Sequence, residues 1–170
     1  MTRYCTTCGQ ETAAQAPNHY LCANQHHNYV DAAPAGIAYV LKGNQVLFGV
    51  RSTPPKPGSL NIPGGFLEID ETAEQATLRE IKEELGINAE LIDYLGTYVS
   101  QYPDGQRVLN IVYIARYMGG EITPGDDMNG GEPVWRSIND LPAADELSFD
   151  NWQLDAQKDL KAWYDNHKLV

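Results

Sequence analysis

The stretch from Thr72 to Leu85 constrains this chain more than any other. Thr72 and Gln75 form the capping-box pattern that starts a helix, and Gly86 is a natural place for it to stop. At about 100° per residue, Leu78, Ile81 and Leu85 share one side, which predicts that this side faces the core. Glu80, Glu83 and Glu84 fall together on the opposite side. Like charges at such spacings destabilise a free helix by roughly a few tenths of a kcal/mol per pair. A solvated acidic face is the plain reading of a cluster of this kind standing alone, and this one does not stand alone.

Short β-rich runs at Ile37–Leu41 and Val46–Arg51 flank Lys42-Gly43-Asn44-Gln45 and predict a hairpin. The proline-rich run from Thr53 to Gly58 must be loop. Further strands are expected at Ala89–Ser100, Val108–Tyr117 and Val134–Ser137. A last helix fits Phe149–Tyr164, where Phe149, Trp152, Ala156, Leu160 and Trp163 recur every three or four residues. Strands in mixed order with two helices indicate an α/β domain, a sheet sandwiched between helices. No internal repeat or low-complexity tract is visible.

The 170 residues suffice for one ordinary domain and a small appendage. No apolar run approaches the roughly 18 residues of a membrane span. No secretory leader is visible at the start, so the cytoplasm is the expected compartment. The net charge of −11 repels phosphate backbones and anionic membranes, arguing against nucleic-acid and membrane partners. It suits a protein that gathers divalent cations with oxygen ligands.

All three cysteines, Cys5, Cys8 and Cys22, lie near the N-terminus. An odd number argues against a disulfide framework, whereas zinc accounts for their spacing. Cys5-x2-Cys8 brings two thiolates to one ion, and Cys22-x3-His26 completes a closed Cys3His site of the structural kind. His27 is a rival for the fourth position and His19 a weaker one. Few apolar residues surround these ligands, so metal binding would have to stabilise the segment. Residues 1–31 are thus expected to form a zinc ribbon, followed by a main domain over 34–170.

Around the acidic helix the chain reads Gly65-x5-Glu71-x7-Arg79-Glu80-Ile81-x-Glu83-Glu84-x-Gly86-Ile87. Seven fixed residues at about 7 % usage each recur by chance on the order of 10⁻⁸ per starting point. This stretch resembles the signature of the Nudix hydrolase family throughout. The likeness extends to Pro63-Gly64-Gly65-Phe66, to the strand pair before it and to Glu132-x-x-Trp135 after it. The cysteine-bearing segment resembles the zinc ribbon of the branch that contains NADH pyrophosphatases.

The resemblance implies an α/β/α sandwich with a mixed sheet, and metal-dependent hydrolysis of the phosphoanhydride in a nucleoside diphosphate linked to a group X. It implies that Glu83, Glu84 and the Gly64 carbonyl ligate Mg²⁺ or Mn²⁺. Glu80 would ligate a further ion or hold the attacking water. Arg79 and Glu71 would pair and orient the carboxylates, and Glu132 would supply an acidic group from outside the helix, with Asp126 and Asp127 close by in sequence.

NADH-cleaving members carry a Ser-Gln-Pro-Trp-Pro-Phe-Pro stretch, where this chain reads Ser100-Gln101-Tyr102-Pro103-Asp104-Gly105. ADP-ribose, a dinucleotide or a nucleoside triphosphate therefore all stay open as substrate. Phe66, Ser100, Gln101 and Tyr102 are the candidate substrate contacts, and Tyr98 and Tyr113 are further candidates for an aromatic clamp. A nucleotide-binding regulatory or adaptor module without turnover is the alternative, although such a module would not need the full set of carboxylates. An isomerase of isopentenyl diphosphate would need a cysteine near the site, and all three lie in the ribbon. A small nucleotide is the expected partner, and a homodimer formed through the ribbon is the assembly that the resemblance allows.

Overall fold

Strand β4 (Ala33–Lys42) is buried along most of its length and organises everything from Ala33 onward. The computed structural model describes residues 2–167; Met1 and residues 168–170, the outer ends of the two expected domains, lie outside that range. The chain divides into two compact units, one up to Ala32 and one from Ala33 on.

The first unit is an antiparallel sheet of β1 (Thr12–Ala16), β2 (His19–Cys22) and β3 (His27–Tyr29), in that spatial order. In the second unit β4 turns through Gly43-Asn44 into β5 (Gln45–Val50), the expected hairpin. Short strands β6 (Leu60–Asn61) and β7 (Gly64–Phe66) pair with β5 and β4 respectively. Helix α1 (Ala73–Leu85) follows, then the long antiparallel pair β8 (Asn88–Gln101) and β9 (Arg107–Gly119). Strand β10 (Val134–Ser137) and helix α2 (Asp150–His167) complete the unit. The sheet order is β10-β5-β4-β9-β8, and β4 runs parallel to β9.

Alternation along β4 sends side chains to both faces. Ile37, Tyr39 and Leu41 pack with Trp152, Ala156 and Leu160 of α2. Ala38 and Val40 pack with Ile81 and Leu85 of α1. Helices therefore cover opposite faces of a mixed sheet, the α/β/α sandwich. Tyr98 Oη donates to Asp159 at 2.6 Å and Trp163 Nε1 to Asp93 at 2.6 Å, tying α2 to β8. No helix among the described residues is long and apolar enough to cross a membrane.

The cap of α1 forms as the sequence predicts: Thr72 accepts from the Gln75 amide, Gln75 accepts from the Thr72 amide, and Gly86 closes the helix at φ +72°. Its buried residues, however, are Ala76, Thr77, Ile81, Glu84 and Leu85, while Leu78 is 38 % exposed. The expected core side was turned too far towards Leu78. Thr77 and Glu84 take core positions because each bonds an atom within reach, the Ala73 carbonyl and the Gly64 amide. Helix α2 begins one residue after Phe149 and runs to His167, a boundary difference of the usual size.

Close approach between α1 and β4 depends on Gly36. A Cβ there would lie 2.5 Å from Thr77 Oγ1 and 2.6 Å from the Ala73 carbonyl oxygen. Gly36→Ala is expected to destabilise the protein by about 2 kcal/mol, as overpacking does, lowering the urea midpoint without changing the slope. An unchanged midpoint would show that α1 shifts at no cost.

Candidate active site

Where β7 leads towards α1, Gly65 lets the backbone run against the helix and Gly64 lets it run against β4. A Cβ on Gly65 would sit 2.3 Å from Glu80 Oε1, and one on Gly64 would sit 2.6 Å from the Gly36 carbonyl. The Gly64 amide donates to Glu84 Oε2 at 2.8 Å. Glu84 is only 8 % exposed, and burial pushes its carboxyl up to about 8. The Gly64 hydrogen bond opposes that rise, and the charges of Glu80 and Asp127 add to it. Burial also holds Glu80 above the ordinary carboxylate range, in spite of its contact with Arg79.

Arg79 is the hub of the cluster. Its guanidinium forks onto Glu71 through Nε at 2.7 Å and Nη2 at 2.9 Å, and those bonds hold Glu71 below the usual range. Nη1 donates to Glu80 at 2.8 Å and Glu83 at 3.0 Å, and Nη2 also reaches the Phe66 carbonyl at 3.1 Å. One arginine thus joins four of the residues singled out from the sequence, three carboxylates and Phe66. Its own pKa is raised, chiefly by the bonds to Glu71.

Another carboxylate arrives from the segment between β9 and β10, and it is Asp127. The Gly125 amide bonds the Glu84 carbonyl at 2.9 Å, the Ser52 amide bonds the Asp127 carbonyl at 3.0 Å, and the Gly130 amide bonds the Val50 carbonyl at 3.0 Å. Met128 between them is fully buried and packs on Gly49. These ties set Asp127 in the open hollow that Glu80 and Glu84 line. Glu132 is exposed and does not line it. The structure therefore brings Asp127, not Glu132, to the helix carboxylates, because the anchored turn ends before Glu132. Asp126 is exposed and offers its carbonyl to Ser52 Oγ.

Adjoining the hollow is a small, partly open cavity with Phe66, Tyr102, Phe149 and Trp152 in its walls. The rings of Phe66 and Tyr102 have centroids 6.5 Å apart, and Phe149 meets Tyr102 edge-on at 5.4 Å. Ser100 lines the cavity and bonds Asn110 Nδ2 at 2.9 Å. Gln101 is exposed and donates to the Gly105 carbonyl at 3.3 Å, away from this lining. Tyr98 is engaged with Asp159 and Trp152, and Tyr113 with Glu74 through a 2.9 Å bond, and neither lines the cavity. Arg51, Phe149 and Trp152 were missed by the sequence reading. A cation closing an apolar strand is a signal for the first; the two aromatics fit a core stripe equally well.

In the N-terminal unit the ligand atoms of Cys5, Cys8, Cys22 and His26 all lie within 4.8 Å of one another. Cys8 Sγ is 3.8 Å from Cys22 Sγ, and Cys5 Sγ is 3.7 Å from His26 Nδ1. Zn–S bonds of about 2.3 Å give a tetrahedron with edges of about 3.8 Å, so this donor set fits zinc. Burial pushes the Cys5 thiol up, but hydrogen bonds from Asn28, the Cys8 and Thr7 backbone and His26 outweigh it and hold it at about 5. His27 instead bonds His19 at 2.8 Å, and both rings stack with Tyr29.

Comparison with known proteins agrees with this layout. The NUDIX domain profile matches residues 32–157. An ADP-ribose pyrophosphatase of Methanocaldococcus jannaschii is 37 % identical over 136 residues, 79 % of this chain and 76 % of that protein. A NAD-capped RNA hydrolase NudC of Pseudomonas aeruginosa is 32 % identical over 142 residues, 82 % of this chain. The chain spans about half the length of that relative, 49 %. The crystal structure of a NUDIX hydrolase from Nitrosomonas europaea shares the fold with a TM-score of 0.74 at 22 % identity, covering 98 % of this chain and 92 % of that one.

The Glu84 carboxyl generates a stability test in the presence of a chelator. Its folded pKa of about 8 lies above the unfolded value, so the folded chain binds this proton more tightly. The resulting stabilisation is present at pH 4 and is lost as pH rises through about 8. Glu84→Gln cannot ionise, so the chelated variant should melt at least roughly 3 °C above the chelated parent at pH 9 and much closer to it at pH 4. A lower melting point for the variant at pH 9 would overturn this account of Glu84.

Proposed function

The chain belongs to the Nudix family of hydrolases, and from that premise we propose that it hydrolyses ADP-ribose to AMP and ribose 5-phosphate with Mg²⁺ or Mn²⁺. The observation that carries the reading is the meeting of Glu80, Glu84 and Asp127 at one end of an aromatic-walled cleft, with Glu83 joined to Glu80 through Arg79. The relative matched over most of both chains is named an ADP-ribose pyrophosphatase, which favours that substrate over a capped RNA.

The donors are all oxygens, the chemistry that Mg²⁺ and Mn²⁺ prefer. The Gly64 carbonyl, Glu83 and Glu84 would hold the cation, with Glu80 and Asp127 beside them. A divalent cation bound there would offset the charge of the diphosphate and lower the pKa of water. In hydrolysis the oxygen of water bonds to one phosphorus, the bridging P–O bond breaks, and the departing phosphate keeps the electron pair. The Glu80 carboxylate takes a proton from the water, a role suited to its raised pKa. Glu71 and Arg79 fix the carboxylates in place, and Gly64 N–H keeps Glu84 from turning away. Phe66 and Tyr102, inclined at 35° with centroids 6.5 Å apart, offer the base an aromatic surface.

The deciding experiment is a product assay with Mg²⁺ or Mn²⁺ over ADP-ribose, NADH, NAD, diadenosine polyphosphates, nucleotide sugars and nucleoside triphosphates. AMP should appear from ADP-ribose, and Glu83→Gln/Glu84→Gln protein should lose on the order of 10³-fold or more in turnover. Binding of ADP-ribose without turnover of any compound would favour a regulatory nucleotide-binding module instead.

We also propose that Cys5, Cys8, Cys22 and His26 hold one structural zinc ion, a closed site with no position open to substrate. The purified protein should carry about one zinc per chain by metal analysis. Cys22→Ala should lose it and become sensitive to protease within residues 2–32. Retention of zinc by that variant would sink the assignment.

A further inference from the structure

Arg51 stands where the two halves of the cleft meet, lining both the carboxylate hollow and the aromatic cavity. It is 9 % exposed and its hydrogen-bond partners are neutral, although its charge is near enough to Glu84 to lower the pKa of that carboxyl. Nε donates to the Thr53 carbonyl at 3.4 Å, and Nη2 donates to Thr53 Oγ1 at 3.3 Å and the Pro54 carbonyl at 2.9 Å. The guanidinium carbon lies 5.3 Å from the centroid of the Phe149 ring. Among the described residues no carboxylate is within ion-pair distance of Arg51, and Nη1 has no hydrogen-bond partner. Arg79, the other arginine of the hollow, is committed to three carboxylates.

Buried charges in proteins are ordinarily paired. A guanidinium held in place by neutral acceptors, with one nitrogen left over, is a built receptor for an anion. We propose that Arg51 binds the nucleoside-side phosphate of the substrate and so sets the register of the diphosphate against the carboxylates. The inference rests on the reading of the cleft as a nucleotide site and adds a positioning residue to it. With the base in the aromatic cavity, the phosphate next to the sugar falls at Arg51 and the second phosphate falls among the glutamates. Cleavage between them leaves a nucleoside monophosphate whose phosphate is still held by Arg51. That product should therefore compete with substrate, through a contact that needs no metal.

The test compares AMP with adenosine in EDTA, so that only protein groups can recognise the phosphate. Binding is followed by fluorescence, since Trp152 and Tyr102 line the cavity. The parent should bind AMP roughly tenfold or more tightly than adenosine, and Arg51→Gln should bring the two to near equality with adenosine affinity retained. Arg51→Lys should keep part of the preference, as a point charge without the fork. Thr53→Ala, which loses the hydroxyl's bonds with Arg51 and Asp127 but keeps the guanidinium and its two carbonyl bonds, should keep most of it. A purely structural role for Arg51 would weaken both ligands alike and leave the ratio unchanged, and that result overturns the proposal. Should Arg51→Gln fail to fold, a crystal structure of the parent with AMP decides: phosphate oxygens on Arg51 support the inference and phosphate elsewhere refutes it. An Arg51-dependent AMP preference in a protein that hydrolyses nothing would defeat the hydrolase reading alone. Hydrolysis of ADP-ribose with no such preference would defeat this inference alone.

Discussion

The close approach of helix α1 to the strands beneath it is the constraint on which the site depends. Gly36, Gly64 and Gly65 each sit where a methyl group would collide with the helix or with the adjoining strand. With those collisions absent, the Gly64 amide comes within 2.8 Å of Glu84, and Glu80 lies flat against Gly65. A carboxylate on an ordinary amphipathic helix would point to water and keep an ordinary pKa. Here the helix is pressed so close that Glu84 is buried among core residues and held by one amide. Its elevated pKa is the electrostatic cost of that geometry, and it is the reason a cation would be welcome there.

Most of the fold was legible because its signals are local. The capping box, the glycine stop, the β-rich runs and the proline-rich loop each act within a few residues. The rotation of α1 was not, since Leu78 and Glu84 differ in burial only through what faces them. An apolar residue was assigned inward and a charged one outward, and the Gly64 amide reversed the second choice. The same limit applies to Asp127. Its place in the hollow depends on three backbone bonds to Glu84, Ser52 and Val50, all distant in sequence. Glu132 and Asp127 are both acidic and neighbouring, and only the tertiary anchoring of the turn separates them.

The cysteine cluster was legible for the opposite reason. Ligand spacing within a short segment is itself the geometry, so Cys5, Cys8, Cys22 and His26 could be grouped without knowing the sheet. Spacing gives His26 with His27 as its rival, and the structure groups His26 with the cysteines because neighbouring residues on and beside β3 face different ways. His27 stacks with Tyr29 and bonds His19, while His26 Nδ1 turns to Cys5. The two donor sets also differ in kind. Soft sulfur in the first unit and hard oxygen in the second would sort zinc from magnesium or manganese by ligand chemistry alone.

Charge at the carboxylate hollow is organised by one arginine on each side. Arg79 is saturated: its bonds to Glu71, Glu80 and Glu83 use the positive charge to hold like charges together. Arg51 has the reverse character, fixed by carbonyls and a hydroxyl that cannot neutralise it. An arginine committed to carboxylates and one hydrogen-bonded only to neutral groups thus line the same hollow. The first keeps the carboxylates assembled when no cation is present, at the expense of occupying them. The second lies towards the aromatic wall and, on the proposal made for it, would attract phosphate directly. Substrate orientation would then follow from placement, since reversing the molecule would put phosphate against Phe66 and Tyr102 and leave the base among charges it cannot satisfy.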